Sequence, residues 1–204
     1  MAGCCADQCD TAFTSRRNIL WFAFIVNAAM FLVETAAGSW ARSAALQADA
    51  LDFLGDAANF GISLFVLGLA LRVRARAAMI KGACMGTFGS WVVAGTVWHA
   101  WTGTLPRAEI MGAVGLLALA ANGTVAALLF RHRGRDANMR SIWLCARNDS
   151  IANLAVMLAA SGVFATGTNW PDIGVAALIA GLNLSGAAGV LVKARGELRQ
   201  AAAE

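Results

Sequence analysis

Residues 46–60 of the chain read LQADALDFLGDAANF and place three carboxylates inside an apolar run. The run extends over residues 46–71, which is enough for one helical membrane crossing, since a crossing takes about 20 residues. Asp49, Asp52 and Asp56 are separated by three and four residues, so they share one stripe of a helix that turns about 100° per residue. Carboxylates at membrane depth are costly and mark functional sites that face the bundle interior. The stretch therefore predicts a membrane helix with an inward-facing acidic stripe.

The composition of the whole chain excludes a soluble domain. Of 204 residues, 59% are hydrophobic and only 14% are charged, whereas a soluble domain has about 25% charged residues. Six apolar runs of membrane length lie at residues 18–40, 46–71, 78–101, 109–130, 141–165 and 172–192. We therefore predict an all-α membrane protein with six transmembrane helices, organised as an N-terminal tail at residues 1–17, a transmembrane domain at residues 18–193 and a C-terminal tail at residues 194–204.

Lysine and arginine are distributed very unequally between the predicted connections. Thirteen of the sixteen are assigned to one side of the membrane, in or beside the two tails and the second and fourth connections: Arg16, Arg17, Arg72, Arg74, Arg76, Lys81, Arg131, Arg133, Arg135, Arg140, Lys193, Arg195 and Arg199. Arg42 and Arg107 lie on the other side, and Arg147 lies within the fifth run. Because positive charge collects in cytoplasmic loops, both termini are predicted to be cytoplasmic, in a multi-pass protein of the bacterial inner membrane. This bias also explains the net charge of +4, so no nucleic-acid partner is expected.

The fifth apolar run carries a second group of polar residues. Cys145 and Asp149 are four residues apart and share one helix face, with Asn153 one turn further along and Asn148 beside Asp149. The asparagines are typical of hydrogen bonding between membrane helices. Cys145, taken alone, is equally consistent with a buried packing residue.

Two facing helices could combine four of these side chains into one metal site. Asp52 and Asp56 from the second helix, with Asp149 and Cys145 from the fifth, offer oxygen and sulfur ligands that suit a divalent ion such as zinc. The ion would be a substrate, and no permanently bound cofactor is expected. Without the ion, three carboxylates and a thiol cannot all stay charged in an apolar surrounding. Alternation between metal and protons is therefore the expected chemistry.

A buried arginine and two further acids remain in the apolar runs. Arg147 lies two residues from both Cys145 and Asp149, so it points about 160° away from each of them. A buried arginine needs an anion, and Glu34 and Asp49 are the acids without an assigned role. We expect these three residues to form a polar cluster beside the metal site without binding the metal. The predicted proton-coupling surroundings comprise this cluster and three amides, Asn27, Asn148 and Asn153.

Three of the five cysteines lie in the N-terminal tail, at Cys4, Cys5 and Cys9. Thiols in the cytoplasm stay reduced, so a disulfide framework is not expected there. The segment CCADQCD is either a weak metal-capturing site, since thiolates beside carboxylates suit zinc and similar ions, or a disordered tail with incidental cysteines. The sequence favours neither interpretation over the other.

The polar residues give the chain a resemblance to the cation diffusion facilitator family of divalent metal and proton antiporters. The fifth run, in NMRSIWLCARNDSIANLAVML, is similar to the family's fifth-helix motif, with Asp149 at the position of its Asp and Cys145 where members normally have His or Asp. The first two runs are similar to the family's opening signature in the spacing of their residues Asn27, Glu34, Gly38, Ser43, Leu46, Asp49, Asp52 and Asp56.

The resemblance implies a function, a pair of ligands and an assembly. It implies Asp52 and Asp56 as ligands of the second helix, and export of zinc, cobalt, nickel, cadmium or ferrous iron in exchange for protons. It also implies a homodimer. Typical members continue into a cytoplasmic ferredoxin-like domain, and this sequence, which ends shortly after the sixth run, is identified as a short member. Cysteine at position 145 indicates a softer ion preference than His or Asp would.

Two other classes of function compete with a transporter. A metal-dependent phosphatidyltransferase of the membrane also carries spaced aspartates, but its motif requires Gly after the second Asp, and here Phe53 follows Asp52. An enzyme is therefore not expected. A metal sensor or assembly partner that does not transport is the third class, and a flux measurement separates it from an antiporter.

Overall fold

The chain folds into six long helices. The computed structural model describes the backbone of residues 4–65, 69–132 and 137–203 and the side chains of residues 17–65, 69–130 and 149–201. These residues form α1 (Cys4–Ala41), α2 (Ala44–Phe65), α3 (Leu71–Thr102), α4 (Ala108–His132), α5 (Ala137–Thr166) and α6 (Trp170–Ala203), with no strand among them. The predicted all-α fold with six helices is confirmed.

The helices are longer than the apolar runs that predicted them. α1 begins at Cys4 within the predicted tail, and α6 continues to Ala203. α3 begins at Leu71, so the arginines assigned to the second connection lie in its first turns, where Arg72, Arg74 and Arg76 are exposed. Hydropathy marks only the segment that sits in lipid, whereas backbone hydrogen bonds continue the helix beyond it.

Five of the six helices are long and apolar enough to cross a membrane. These spans are Arg17–Ala41, Leu71–Thr102, Ala108–Phe130, Asp149–Thr166 and Trp170–Ala201. α2 is set apart by its three acids, yet it is the helix most enclosed by protein at its start, since every residue from Ala44 to Leu51 is buried. It packs against α1, α3, α5 and α6, so neighbouring helices cover much of its acidic stripe.

Small residues let the helices approach closely. The largest apolar cluster joins the first half of α2 to α3, α4, α5 and α6, and eight of its fifteen buried residues are alanine. In the seam between α3 and α6, a Cβ added to Gly82 would lie 2.8 Å from Leu191 Cγ, and one added to Gly89 would lie 2.8 Å from Leu184 Cδ2. Close backbone approach at such residues is how membrane helices gain van der Waals contact.

Candidate metal site

The start of α2 is fixed by a carboxylate from α6. The Ser43 hydroxyl donates to Asp172 Oδ1 at 2.7 Å, and the backbone amides of Ala44 and Ala45 donate to Oδ2 and Oδ1 at 2.9 and 3.0 Å. Ser43 Oγ in turn accepts from the Leu46 amide at 3.1 Å. The first amides of a helix have no partner within it and carry partial positive charge. The Asp172 carboxylate supplies what they lack, so α6 holds the end of α2 in place.

Further along α2, its acids meet α5. The carboxyl groups of Asp56 and Asp149 hydrogen-bond to each other, and Asp52 lies within electrostatic range of both. A contact between two carboxyl groups is a hydrogen bond only when one of them carries a proton. Asp149 Oδ2 is buried without a hydrogen-bond partner among the described residues. Three of the four expected ligands therefore converge where α2 passes α5.

The three carboxylates do not form a closed metal cage in this arrangement. In the described part of the chain, no three His, Cys, Asp or Glu side chains stand in metal-binding geometry. Asp52, Asp56 and Asp149 are each partly exposed rather than fully buried.

Several expected site residues lie outside the described side chains. Cys145, Arg147 and Asn148 belong to the part of α5 of which only the backbone is described. The same holds for the tail cysteines Cys4, Cys5 and Cys9 in α1. Their assignments as fourth ligand, polar-cluster members and metal-capturing tail stay predictions.

Asn183 of α6 is a neighbour of the site that the sequence analysis missed. Its side-chain amide interacts with the Asp52 carboxylate, and its Nδ2 also donates to the Ile179 carbonyl at 3.2 Å. An amide nitrogen has two hydrogens and can serve both acceptors. A lone asparagine in an otherwise apolar sixth run was the available signal, but the sequence did not indicate which helix it faces.

Lys81 of α3 is the second neighbour that sequence reasoning placed elsewhere. It was counted with the positive charges of the second connection, yet it lies ten residues into α3. Its ammonium group donates to Asn59 Oδ1 of α2 and lies within electrostatic range of Asp56. A cation therefore stands beside the acids at the end of α2 that lies farther from Asp172.

Glu34 and Asp49 form a separate pair of carboxyl groups between α1 and α2. Both side chains are 0% exposed, and their carboxyl groups contact each other. Treated as carboxylates, all four oxygens lack a hydrogen-bond donor among the described residues. The pair lies within electrostatic range of Asp52, and its predicted partner Arg147 lies outside the described side chains.

The amides expected around the site are buried and only partly hydrogen-bonded. Asn27 and Asn153 are 0% exposed. Asn27 Nδ2 donates to the Ala23 carbonyl at 2.8 Å. Among the described residues, Asn27 Oδ1 and both amide atoms of Asn153 have no hydrogen-bond partner. Asn122 of α4, which the sequence did not single out, is 2% exposed, and its Oδ1 has no partner within the same part of the chain. Several buried amide atoms inside the bundle thus have no hydrogen-bond partner among the described residues.

A comparison with protein families decides the class of protein. The family model for the cation efflux transmembrane domain matches residues 20–198. The chain belongs to the cation efflux family. Cation efflux proteins, also called cation diffusion facilitators, are transporters rather than enzymes, so the phosphatidyltransferase interpretation is set aside. This cation efflux protein is an integral multi-pass membrane protein whose substrates are divalent cations. A comparison with curated proteins gives no match.

Proposed function

We propose that this cation efflux protein exports a divalent transition-metal ion from the cytoplasm in exchange for protons, with Asp52, Asp56 and Asp149 as ligands. The observation that carries this proposal is the contact of Asp56 with Asp149 across two helices, with Asp52 in range of both. Carboxylates from two helices that move relative to each other can bind an ion on one side and release it on the other.

The fourth ligand in this proposal is Cys145. It lies one helical turn before Asp149 on the same face of α5. A thiolate softens a site of carboxylates, which favours zinc and cadmium over harder ions. The candidate ions are zinc, cobalt, nickel, cadmium and ferrous iron.

Exchange for protons follows from the cost of charge inside the membrane. Once the ion leaves, several carboxylates would face one another in an apolar surrounding, and that arrangement is strongly unfavourable. Protons relieve it, and a returning ion displaces them because ligands must be deprotonated to coordinate. The inward proton gradient of a bacterial inner membrane would then drive export. The charge bias supports cytoplasmic termini, and the family resemblance supports a homodimer.

The decisive test is metal uptake into proteoliposomes under an imposed pH gradient. Purified protein is reconstituted, each of the five ions is offered in turn, and metal and proton movements are followed with separate fluorescent dyes. Uptake that is accelerated by an acidic lumen and accompanied by proton exit supports the antiporter. Metal flux without proton movement would contradict it, and metal binding without any flux would indicate a sensor.

A further inference from the structure

We propose that Glu34 and Asp49 form a dedicated binding site for one exchangeable proton, separate from the metal ligands. This inference rests on the proposed exchange of metal for protons and identifies where one of those protons is held. The two carboxyl groups come from α1 and α2 and contact each other. Asp49 lies three residues before Asp52, which is about one helical turn along α2.

Among the residues whose side chains are described, none donates a hydrogen bond to the carboxyl oxygens of Glu34 or Asp49. Asp172 is buried to the same degree, with 1% of its surface exposed against 0% for Glu34 and Asp49, yet three donors bind its oxygens. The four oxygens of Glu34 and Asp49 receive none from the described residues. Two contacting carboxyl groups can still satisfy each other if one proton lies between them. That proton converts an unpartnered pair into a hydrogen bond.

Among the described residues, the charged groups that act on the pair favour a bound positive charge. On α2, Asp52 repels both members of the pair, and on α5, Asp149 repels Asp49. Among the described residues, Lys81 of α3 is directed at Asn59 and Asp56, further along α2, and the buried polar side chain of α4 is the neutral amide of Asn122. Two ionised carboxylates in this field would be strongly unfavourable.

A proton fits this place better than a metal ion. Glu34 and Asp49 are completely enclosed, while Asp52, Asp56 and Asp149 are partly exposed. A transition-metal ion such as zinc needs about four ligands, whereas a proton needs only the two facing oxygens. The exposed acids are thus suited to the ion and the enclosed pair to the proton.

The position of Asp49 couples the proton to the metal without a shared ligand. A divalent ion held by Asp52 and Asp149 brings positive charge beside Asp49, and this disfavours a proton on the neighbouring pair. When the ion leaves, the negative field of the same acids returns and the proton binds again. Binding of one ion therefore releases one proton from Glu34 and Asp49 in addition to any proton displaced from the ligands themselves.

The test counts protons released per zinc ion bound to the purified full-length protein. Calorimetry in buffers of different ionisation enthalpy gives this number for wild type, Glu34→Gln, Asp49→Asn and the double variant. Each of the three variants should release about one proton fewer than wild type and should still bind zinc. The double variant should lose no more than either single variant, because the pair holds one proton between its members. Glu109→Gln, an exposed acid at the start of α4, serves as control and should release as many protons as wild type.

An infrared difference spectrum gives a second readout on the unaltered protein. Zinc binding should remove a protonated-carboxyl band from wild type, and Glu34→Gln or Asp49→Asn should lack that change; this holds even if one variant does not fold. Unchanged proton counts and an unchanged band in the variants would overturn the inference. Neutralisation of the pair by Arg147 would also overturn it, since zinc binding would then remove no protonated-carboxyl band of this pair from wild type. If the inference fails but wild type still exchanges zinc for protons, the proposed antiport function stands. Zinc transport by wild type without proton movement would overturn the proposed function itself.

Discussion

The Asp172 carboxylate of α6 accepts a hydrogen bond of 2.7 Å from the hydroxyl of Ser43, which precedes α2 by one residue. The backbone amides of Ala44 and Ala45 donate to the same carboxylate. Asp172 therefore caps the N-terminus of α2, although Ala44 lies 128 residues earlier in the sequence. α6 also contacts α2 through Asn183 and Asp52. The helix that carries the candidate metal ligands Asp52 and Asp56 thus contacts α6 at two positions along its length.

Asp172→Asn should destabilise the protein. The change removes the negative charge and one of the acceptor atoms from a cap with three donors, and a hydrogen bond to a charged group contributes about 1.5–3 kcal/mol. We expect a clearly lower midpoint of thermal unfolding in detergent. Glu109→Gln, at the exposed first turn of α4, should leave the midpoint unchanged. Equal midpoints for wild type and Asp172→Asn would show that the cap contributes little.

Asp56→Asn and Asp149→Asn should each nearly abolish metal transport. Either change removes one carboxylate from a site with about four ligands. Loss of a residue that only supports a ligand lowers metal affinity or activity by roughly 10- to 100-fold, and loss of a ligand itself should lower it further. Initial rates of zinc uptake into proteoliposomes provide the measurement. Wild-type rates in both variants would place the metal elsewhere, and Glu109→Gln again controls for loss of an acid outside the site.

Asn183→Ala should weaken metal binding while leaving the fold intact. The amide interacts with Asp52, and residues that orient a metal ligand typically contribute about 10-fold or more to affinity. Zinc affinity, measured by calorimetry, should therefore fall, while the midpoint of thermal unfolding should stay at the wild-type value. Ser185→Ala, at an exposed position two residues further along α6, is the matched control. An affinity equal to wild type would mean that Asn183 does not orient Asp52.

Lys81→Gln should strengthen metal binding. The ammonium group lies within electrostatic range of Asp56 and repels an arriving divalent ion. Since Lys81 is partly exposed, solvent screens the effect, and we expect about 0.5–1 kcal/mol, or roughly two- to fivefold in affinity. Lys193→Gln, exposed on α6, removes the same charge far from the acids and should have no effect. Weaker binding in Lys81→Gln would assign the lysine a supporting role instead.

Cys145→His should change which ion is preferred. A thiolate favours soft ions, and an imidazole suits zinc, nickel and copper. If Cys145 is a ligand, the variant should retain transport with less preference for cadmium over zinc, as measured by competition between the two ions. If Cys145→Ala matches wild type for every ion, the residue serves packing alone.

The sequence predicted the parts of the fold and site that depend on local patterns. Membrane-length apolar runs indicate six helices, because the bilayer fixes their length. The spacing of Asp52 and Asp56 indicates that they share one face, because helix geometry fixes their direction. The resemblance of the Asp149 motif then linked α5 to the same site.

The contributions of Asp172, Asn183 and Lys81 could not be predicted in the same way. Asp172 is the first residue of the sixth apolar run, which places it at a helix end, but its role depends on the N-terminus of a helix more than 120 residues earlier. Lys81 was assigned to a connection because it follows three arginines, although α3 begins before them. Which helices touch is set by packing of small residues throughout the bundle, and no local pattern encodes that.

The close packing of α3 against α6 affects how easily water and protons could leak across the membrane along this protein. At Gly82 and Gly89 the helices leave less space than one methyl group needs, so neither an acyl chain nor a file of water molecules can enter between them there. A continuous water path would let protons bypass the carboxylates and dissipate the gradient without moving metal. If transport is driven by protons, as proposed, the two glycines help to prevent proton leakage along this side of the bundle.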